Sequence, residues 1–453
     1  MSLRLDNIIS ANSELIAKLP DFENALAKVY SSVSLSLVLE DCWNCTRIGN
    51  EVSMSRPRTA TGLLIRYYDG KSHQEIGTNS LDTIEMLVRE LCSAGKGKSK
   101  ISTPLDDVRE FQYSCREKHD TMSIADKVDL LASLTDRSSQ RPNVSLSKIQ
   151  YAEEDRLHIF LGDGKFYKQR LPFTTIALNI FVTANGRTES QKTGARMPGG
   201  LELIKDICSH DKIDIAAKRA LDLTRVEPLP AGQYSIVAAP EPASVIAHEA
   251  FGHGVEADMA LRDLSKAAKF MGSRVGSSLV NLYDSPQAGP TSGFYYFDDE
   301  GQLSSSTTLI EKGILTGLLS DTISAKSMKI KCSGNGRRVD FTRPVCSRMS
   351  CTFFGKGPHK EDELIASVDH GLYLTGSSSG QEDPLGWGMQ VNAPLAYEIK
   401  KGKFTGRVFG PVVLTGYVPD ILNSIDGVAQ DLSYRGLGKC GKTFWKDWVN
   451  VGM

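Results

Sequence analysis

Apolar residues recur at helical spacing near the start of the chain, at Ile8, Ile9, Leu15, Ile16, Leu19, Phe22, Leu26 and Val29, which predicts one or two helices. The period then changes. Val33–Leu39 alternates apolar and polar before turning wholly apolar, and Thr61–Tyr68 runs into the hairpin signal Asp69-Gly70, so 33–78 reads as strands. Asn79-Ser80 predicts the cap of a helix over Leu81–Ala94. Gly95-Lys96-Gly97-Lys98-Ser99-Lys100 reads as a solvated linker. Residues 105–135 read as mainly helical, most clearly over Ile124–Leu134, and 137–143 as a polar break. Strands return at Lys148–Ala152, at His158–Leu161 before the turn Gly162-Asp163-Gly164, and at Phe173–Thr183 before Asn185-Gly186. Residues 199–224 revert to helix. Pro228, Pro230 and Gly232 then mark a boundary, giving a domain of 1–227 and another of 228–453.

The second part opens with a strand, Gln233–Ala239, stopped by Pro240 and Pro242, and a helix carrying His248 follows. Beyond it the pattern is mostly strand and turn. Phe294–Phe297 meets Asp298-Asp299-Glu300-Gly301, and Ser306–Glu311 turns at Lys312-Gly313 into Ile314–Leu319. Leu395–Ile399 and Phe404–Val408 flank the turn Lys400-Lys401-Gly402, and 412–416 adds an apolar strand. A helix-bearing first half and a strand-rich second half predict an α+β fold rather than a doubly wound sheet.

Composition changes this picture little. The 453 residues carry 40% hydrophobic and 24% charged residues, ordinary for a soluble globular protein. A formal charge of −1 lacks the basic excess of a nucleic-acid binder. No run of about 18 apolar residues and no targeting segment is visible, so a membrane partner is not expected and a cytoplasmic location is. Nine cysteines in such a chain fit reduced thiols better than a disulfide framework.

Chemistry concentrates in His248-Glu249-Ala250-Phe251-Gly252-His253-Gly254, which holds two of only eight histidines. Imidazole is the commonest side-chain metal ligand, and a neighbouring carboxylate can take a proton from a metal-activated water. The spacing is unusual. At about 100° per residue, five steps leave the second ring roughly 140° from the first. Both rings meet one ion only if the helix is distorted, for example by a π-type bulge, or ends there, and Gly252 and Gly254 permit either. Three further patterns read as bland. Cys42-Trp43-Asn44-Cys45 lies in strand context, where the two thiols face opposite sides and a redox pair does not form. Gly376-Ser377-Ser378-Ser379-Gly380 lacks the helix and the downstream histidine of a hydrolase elbow, and reads as a flexible or substrate-facing loop. Gly436–Thr443 has the letters of a phosphate-binding loop without its strand and helix, though its lysines favour a Cys440 thiolate.

These blocks, in this order, resemble the TldD/PmbA family of metalloproteases. The likeness rests on His248–Gly254 with Glu256 and Asp258, on Asp298–Gly301 with Leu309–Gly313, and on Ser333–Arg338 with Arg343-Pro344 and Arg348-Met349. Tyr397–Lys403 and Gly438–Lys442 complete the series. Carried over by position, the resemblance implies zinc held by His248, His253 and Cys440, with Glu249 as general base on a metal-bound water. It implies an α/β N-terminal part and a C-terminal part built on twisted antiparallel sheet that carries the HExxxH helix. It also implies a homodimer, or a heterodimer with a sister subunit, that cleaves unfolded or short peptides held largely by backbone pairing. Inactive sister subunits of the family lack the metal motif; this chain keeps it. The alternative is a non-catalytic peptide-binding or maturation subunit, in which a zinc closed by four protein ligands would be structural. Family members commonly run on past the cysteine block, whereas this sequence reaches Met453 with Phe444, Trp445 and Trp448 in its last stretch.

Overall fold

The computed structural model describes residues 5–55, 58–95, 104–376, 378–434, 438–442 and 448–453. The opening periodicity makes two helices, α1 (Leu5–Ala11) and α2 (Ser13–Ala27), whose buried face includes Leu5, Ile8, Leu19 and Leu26. They cover one face of a sheet begun by β1 (Ser31–Ile48), β2 (Glu51–Met54), β3 (Arg58–Tyr68) and β4 (His73–Thr78). The Asp69-Gly70 turn joins β3 to β4 as an antiparallel hairpin. A 3₁₀ turn at Leu81–Thr83 precedes α3 (Ile84–Ala94), and Ser80 makes no side-chain cap there. Most of the lysine-rich linker, 96–100, lies outside the described residues.

The expected helix over 105–135 is confined to its second half. β5 (Asp107–Gln112) pairs parallel with a later strand, and α4 (Ile124–Ser139) starts only where Ser123 Oγ accepts the Asp126 amide at 3.1 Å. Tertiary pairing overrides the weak helical pattern before it. β6 (Val144–Gly162) and β7 (Lys165–Ala184) are then each a single long strand, so Lys148–Ala152 and His158–Leu161 are two parts of one element. The acidic run between them stays in the strand because the fold supplies cations: Lys127 pairs with Glu153, Arg196 with Glu154 at 2.7 Å and Arg170 with Asp155 at 2.7 Å. β8 (Arg187–Pro198) returns from the Asn185-Gly186 turn, where both residues have positive φ. α5 (Glu202–Ile207) and α6 (His210–Leu223) pack on this end of the sheet, around Ile176, Leu178, Ile180 and Ala217. The eight strands run β4-β3-β1-β6-β7-β5, with β2 on β1 and β8 on β7.

The second half is built of smaller sheets around its own apolar core. β9 (Ser235–Ala238) leads into α7 (Pro240–Phe251), a 3₁₀ turn at His253–Val255 and α8 (Ala257–Leu261). Next come β10 (Leu282–Asp284), β11 (Thr307–Glu311), β12 (Ile314–Leu315), α9 (Thr322–Met328), β13 (Gly336–Arg337), β14 (Cys346–Ser347) and β15 (Thr352–Phe354). After α10 (Glu361–Ser367) follow β16 (His370–Thr375), β17 (Ser379–Asp383), β18 (Gly388–Ala393), β19 (Leu395–Lys400), β20 (Lys403–Phe409) and β21 (Val412–Tyr417). α11 (Val418–Asn423), β22 (Gly438–Cys440) and β23 (Val449–Val451) close the chain. Phe294–Phe297 is not a strand; its rings lock a loop onto the large sheet, with Tyr296 stacked on Phe111 at 5.0 Å. Ile314–Leu319 is strand only at its first two residues. The fold is α+β, and the longest strands lie in the first half. Among the described residues no helix is long and apolar enough to cross a membrane.

Candidate metal centre

β9 lies parallel to β16 and aims the chain into the core of the second half, where Pro240 at the first turn starts α7. Small and apolar residues let this helix sink: Ala247, Ala250 and Phe251 are fully buried. It ends at Phe251, and the Gly252 amide closes the last turn on the His248 carbonyl at 2.9 Å. The chain then tightens into the 3₁₀ turn at His253. Termination, not a π bulge, is therefore what brings the second ring round. A side chain at Gly252 would overlap Met349 Sδ and the His248 carbonyl, so this junction needs glycine. The segment past it is held by Leu319, whose carbonyl accepts the Ala257 amide at 2.8 Å and whose amide reaches the Val255 carbonyl at 2.9 Å.

The two rings stand 5.5 Å apart at 82°. Cys440 arrives on β22, which pairs with β23 at Cys440↔Val449, so the thiol has strand support within this chain. His253 Nε2 lies 3.0 Å from Cys440 Sγ, and one ligand atom each of His248, His253 and Cys440 all fall within 4.8 Å of one another. A tetrahedral zinc with bonds of about 2.0–2.3 Å needs ligand separations of about 3.3–3.6 Å. The observed separations, 3.0 Å for His253 Nε2 to Cys440 Sγ and at most 4.8 Å within the group, bracket that range. His248 Nδ1 is buried with no hydrogen-bond partner, which fits a nitrogen kept for a metal. The donor set and the orphaned nitrogen thus fit zinc. No fourth cysteine or histidine joins the group among the described residues.

Electrostatics agree. Burial alone would raise the Cys440 thiol, but the two imidazoles beside it prevail and hold it well below the ordinary thiol range. Burial raises Glu249 above the usual carboxylate value, with His248 and His253 opposing. Glu249 is 7% exposed and packs against β17: a Cβ on Gly380 would come 2.5 Å from Glu249 Cγ. The loop read as substrate-facing therefore borders the base, and from Ser379 it is a strand, so no hydrolase elbow forms. Ser377 lies outside the described residues.

A buried charged group supports the ligands. Glu256 is fully buried, with Arg348 Nε at 3.1 Å, Lys442 Nζ at 3.1 Å and His253 Nδ1 at 3.6 Å. Burial would raise its carboxyl, but Lys442 and Arg348 hold it far below the ordinary range. Lys442 also binds Asp258 at 2.7 Å and the Ser347 carbonyl at 2.9 Å, so it is engaged by carboxylates rather than poised for a phosphate. Gly436, Leu437 and Thr443 of that pattern lie outside the described residues. Glu382 on β17 has both oxygens buried and unpartnered beside Gly254, and burial holds its carboxyl well above the ordinary value. Sequence reading gave none of these supporting residues a role; Glu256, Asp258, Arg348 and Lys442 entered it only as letters of the resemblance. Cys42 and Cys45 are free thiols, Cys42 donating to Glu40 at 2.7 Å and Cys45 sealed in the core. A 240 Å³ cavity lined by Ser34, Arg66, Glu300 and Lys326 lies between the large sheet and α9 and includes none of the four predicted site residues.

The PmbA/TldA metallopeptidase C-terminal domain family matches residues 231–449. The chain is 33% identical over 319 residues to a metalloprotease of Methanocaldococcus jannaschii, covering 70% of this chain and 68% of that one. It is 26% identical over 226 residues to a zinc metalloprotease TldD homologue of Saccharolobus solfataricus, half of each chain. Among solved structures, a Thermotoga maritima protein described as a candidate modulator of a DNA gyrase superposes with a TM-score of 0.76 at 17% identity, over 96% of this chain and 98% of that one. With helix, turn and β22 bringing His248, His253 and Cys440 together in a fold shared along its length, the chain belongs to the TldD/PmbA family of metallopeptidases.

Proposed function

We propose that this protein is a zinc-dependent peptidase acting on unfolded proteins or short peptides. The observation that carries the proposal is the meeting of His248, His253 and Cys440 directly beside the buried carboxylate of Glu249. His248, His253 and Cys440 would hold the ion, and no fourth cysteine or histidine stands with them among the described residues. Zinc, when bound, supplies Lewis acidity to a water and to the scissile carbonyl. Glu249, its carboxyl raised by burial, takes the proton from that water and passes it to the leaving amine. β17 pairs only with β18 among the described residues, so its other edge suits an extended peptide added as a strand, while Glu249 packs on the face of the same strand at Gly380. Backbone pairing of that kind selects for unfolded chain rather than for sequence. The remaining expectations belong to the same reading: domains of 1–227 and 228–453, a homodimer or a pair with a sister subunit, and a cytoplasmic location.

The test is cleavage of an unfolded protein, with zinc supplied, by the wild type and by Glu249→Gln, which keeps shape and ligands but removes the base. Cutting by the wild type and zinc-loaded binding without cutting by the variant is the expected result. Equal cutting by both would remove Glu249 from the mechanism. No cutting by either, with zinc held by both, would favour the peptide-binding subunit.

A further inference from the structure

We infer that Arg348 is a positioning residue for the sulfur ligand: its guanidinium ties Cys440 to Glu256 and withdraws electron density from the thiolate, so that an ion held there is a stronger Lewis acid. The inference rests on the zinc-centre reading and gives this chain's own residues a role in tuning it.

The geometry is specific. The Arg348 side chain is 2% exposed. Its Nη2 donates to Cys440 Sγ at 3.1 Å and to the Cys440 carbonyl at 2.8 Å, while Nε donates to Glu256 Oε1 at 3.1 Å. Glu256 faces His253, and His253 faces Cys440 at 3.0 Å. The four residues close a ring in which two ligands are each held by a charged neighbour. Arg348 stands 92 residues from both Glu256 and Cys440, so no local turn could do this work. Its own backbone is fixed from both sides by Asn335, which accepts the Arg348 amide at 2.9 Å and donates Nδ2 to its carbonyl at 3.0 Å.

The simpler reading is that Arg348 only neutralises a buried carboxylate. Lys442 already lies 3.1 Å from Glu256, and a second cation aimed solely at that charge would not need to direct one arm of its fork onto sulfur. Arginine suits the task because its planar fork addresses two acceptors on different segments at once, which a lysine ammonium on a flexible stem does not. A cationic N–H donor on a thiolate lowers the energy of the sulfur lone pairs and weakens their donation to a metal.

Cobalt(II) reports this directly, because the thiolate-to-cobalt charge-transfer band moves to longer wavelength as the sulfur becomes electron-rich. The experiment loads the full chain with cobalt, measures that band, and measures zinc affinity by competition with a chelator, for the wild type, Arg348→Gln, Arg348→Lys and Lys442→Met. The expected result is a longer-wavelength band in Arg348→Gln with zinc binding weakened roughly 10–100-fold, because losing the neighbour that orients the ligand outweighs the stronger donation of the freed sulfur. Arg348→Lys should shift the same way by less, and it carries the test if the glutamine variant does not fold. Lys442→Met, which removes a cation from Glu256 but not the donor on sulfur, should weaken zinc binding without moving the band to longer wavelength. Folded Arg348 variants with an unmoved band and zinc affinity within twofold of wild type would overturn the inference. Absence of any thiolate band in the wild type would overturn it together with the zinc-centre reading. A shifted band in a protein that cleaves nothing would support it while removing the peptidase reading alone.

Discussion

Gly380→Ala isolates the position of the base from the holding of the metal. An alanine Cβ at this place in β17 would sit 2.5 Å from Glu249 Cγ, 2.7 Å from Val245 Cγ1 and 2.9 Å from Glu249 Oε1. Carbon atoms rest at about 3.5–4.0 Å, so the pair is about 1 Å too close. Gly380 is an ordinary strand residue without positive φ, and the backbone accepts alanine without strain. Helix α7 is locked in the core at Ala247 and Ala250, so the side chain of Glu249 gives way. A misplacement of about 1 Å in a catalytic group costs about 100-fold in rate, equivalent to about 2.7 kcal/mol of transition-state stabilisation. The overpacking itself should cost about 1–3 kcal/mol of stability. His248, His253 and Cys440 are not among the nearest atoms of the new methyl, so zinc stoichiometry should stay at the wild-type value. The assay pairs single-turnover cleavage of an unfolded protein with zinc analysis of the same sample. Wild-type cleavage by a zinc-loaded Gly380→Ala would refute the placement of Glu249 against β17 as the catalytic arrangement.

Lys442→Met should lower the unfolding free energy of the metal-free protein by about 3–5 kcal/mol, because it leaves Asp258 and part of Glu256 as buried carboxylates without their cation; a change under about 1 kcal/mol by urea titration would contradict that. His158, 3% exposed and bonded to Ser36 Oγ at 2.8 Å, is pushed down to about 4 by burial. Between about pH 6.5 and 4 the unfolded chain takes a proton that the folded one refuses, so stability falls as pH drops, by about 2 kcal/mol at pH 5. His158→Asn should flatten that slope, and identical slopes in the two proteins would exclude His158 as its source. Zinc at about 100 times its dissociation constant should stabilise the wild type by about 2.7 kcal/mol, read as a raised thermal midpoint that a chelator reverses. Cys440→Ser should lose most of that rise.

What the sequence made legible was local. The hairpin β3–β4 could be read from Asp69-Gly70, the β7–β8 return from Asn185-Gly186 and the β19–β20 return from Lys401-Gly402, because each turn carries its own positive-φ residues. What it hid was set by distant partners. β5 is a strand because β7 lies beside it, and the acidic middle of β6 stays in the sheet because Lys127, Arg196 and Arg170 come from elsewhere. Phe294–Phe297 has the letters of a strand, yet its rings are spent on the face of the large sheet. The metal centre divides the same way. His248, Gly252 and His253 announce a helix that must break to be useful, and the break is where the glycine predicts it. Cys440 is 187 residues further on, and only the resemblance brought it in. Glu256, Arg348 and Lys442 bore no sign of their purpose, since a buried ion network is indistinguishable in a sequence from exposed charge. The placing of a carboxylate and two cations behind the ligands follows from the same constraint. Three ligands from separate segments enter a dry core as one thiolate and two imidazoles, and the fold must supply charge there to fix their orientation before any ion arrives.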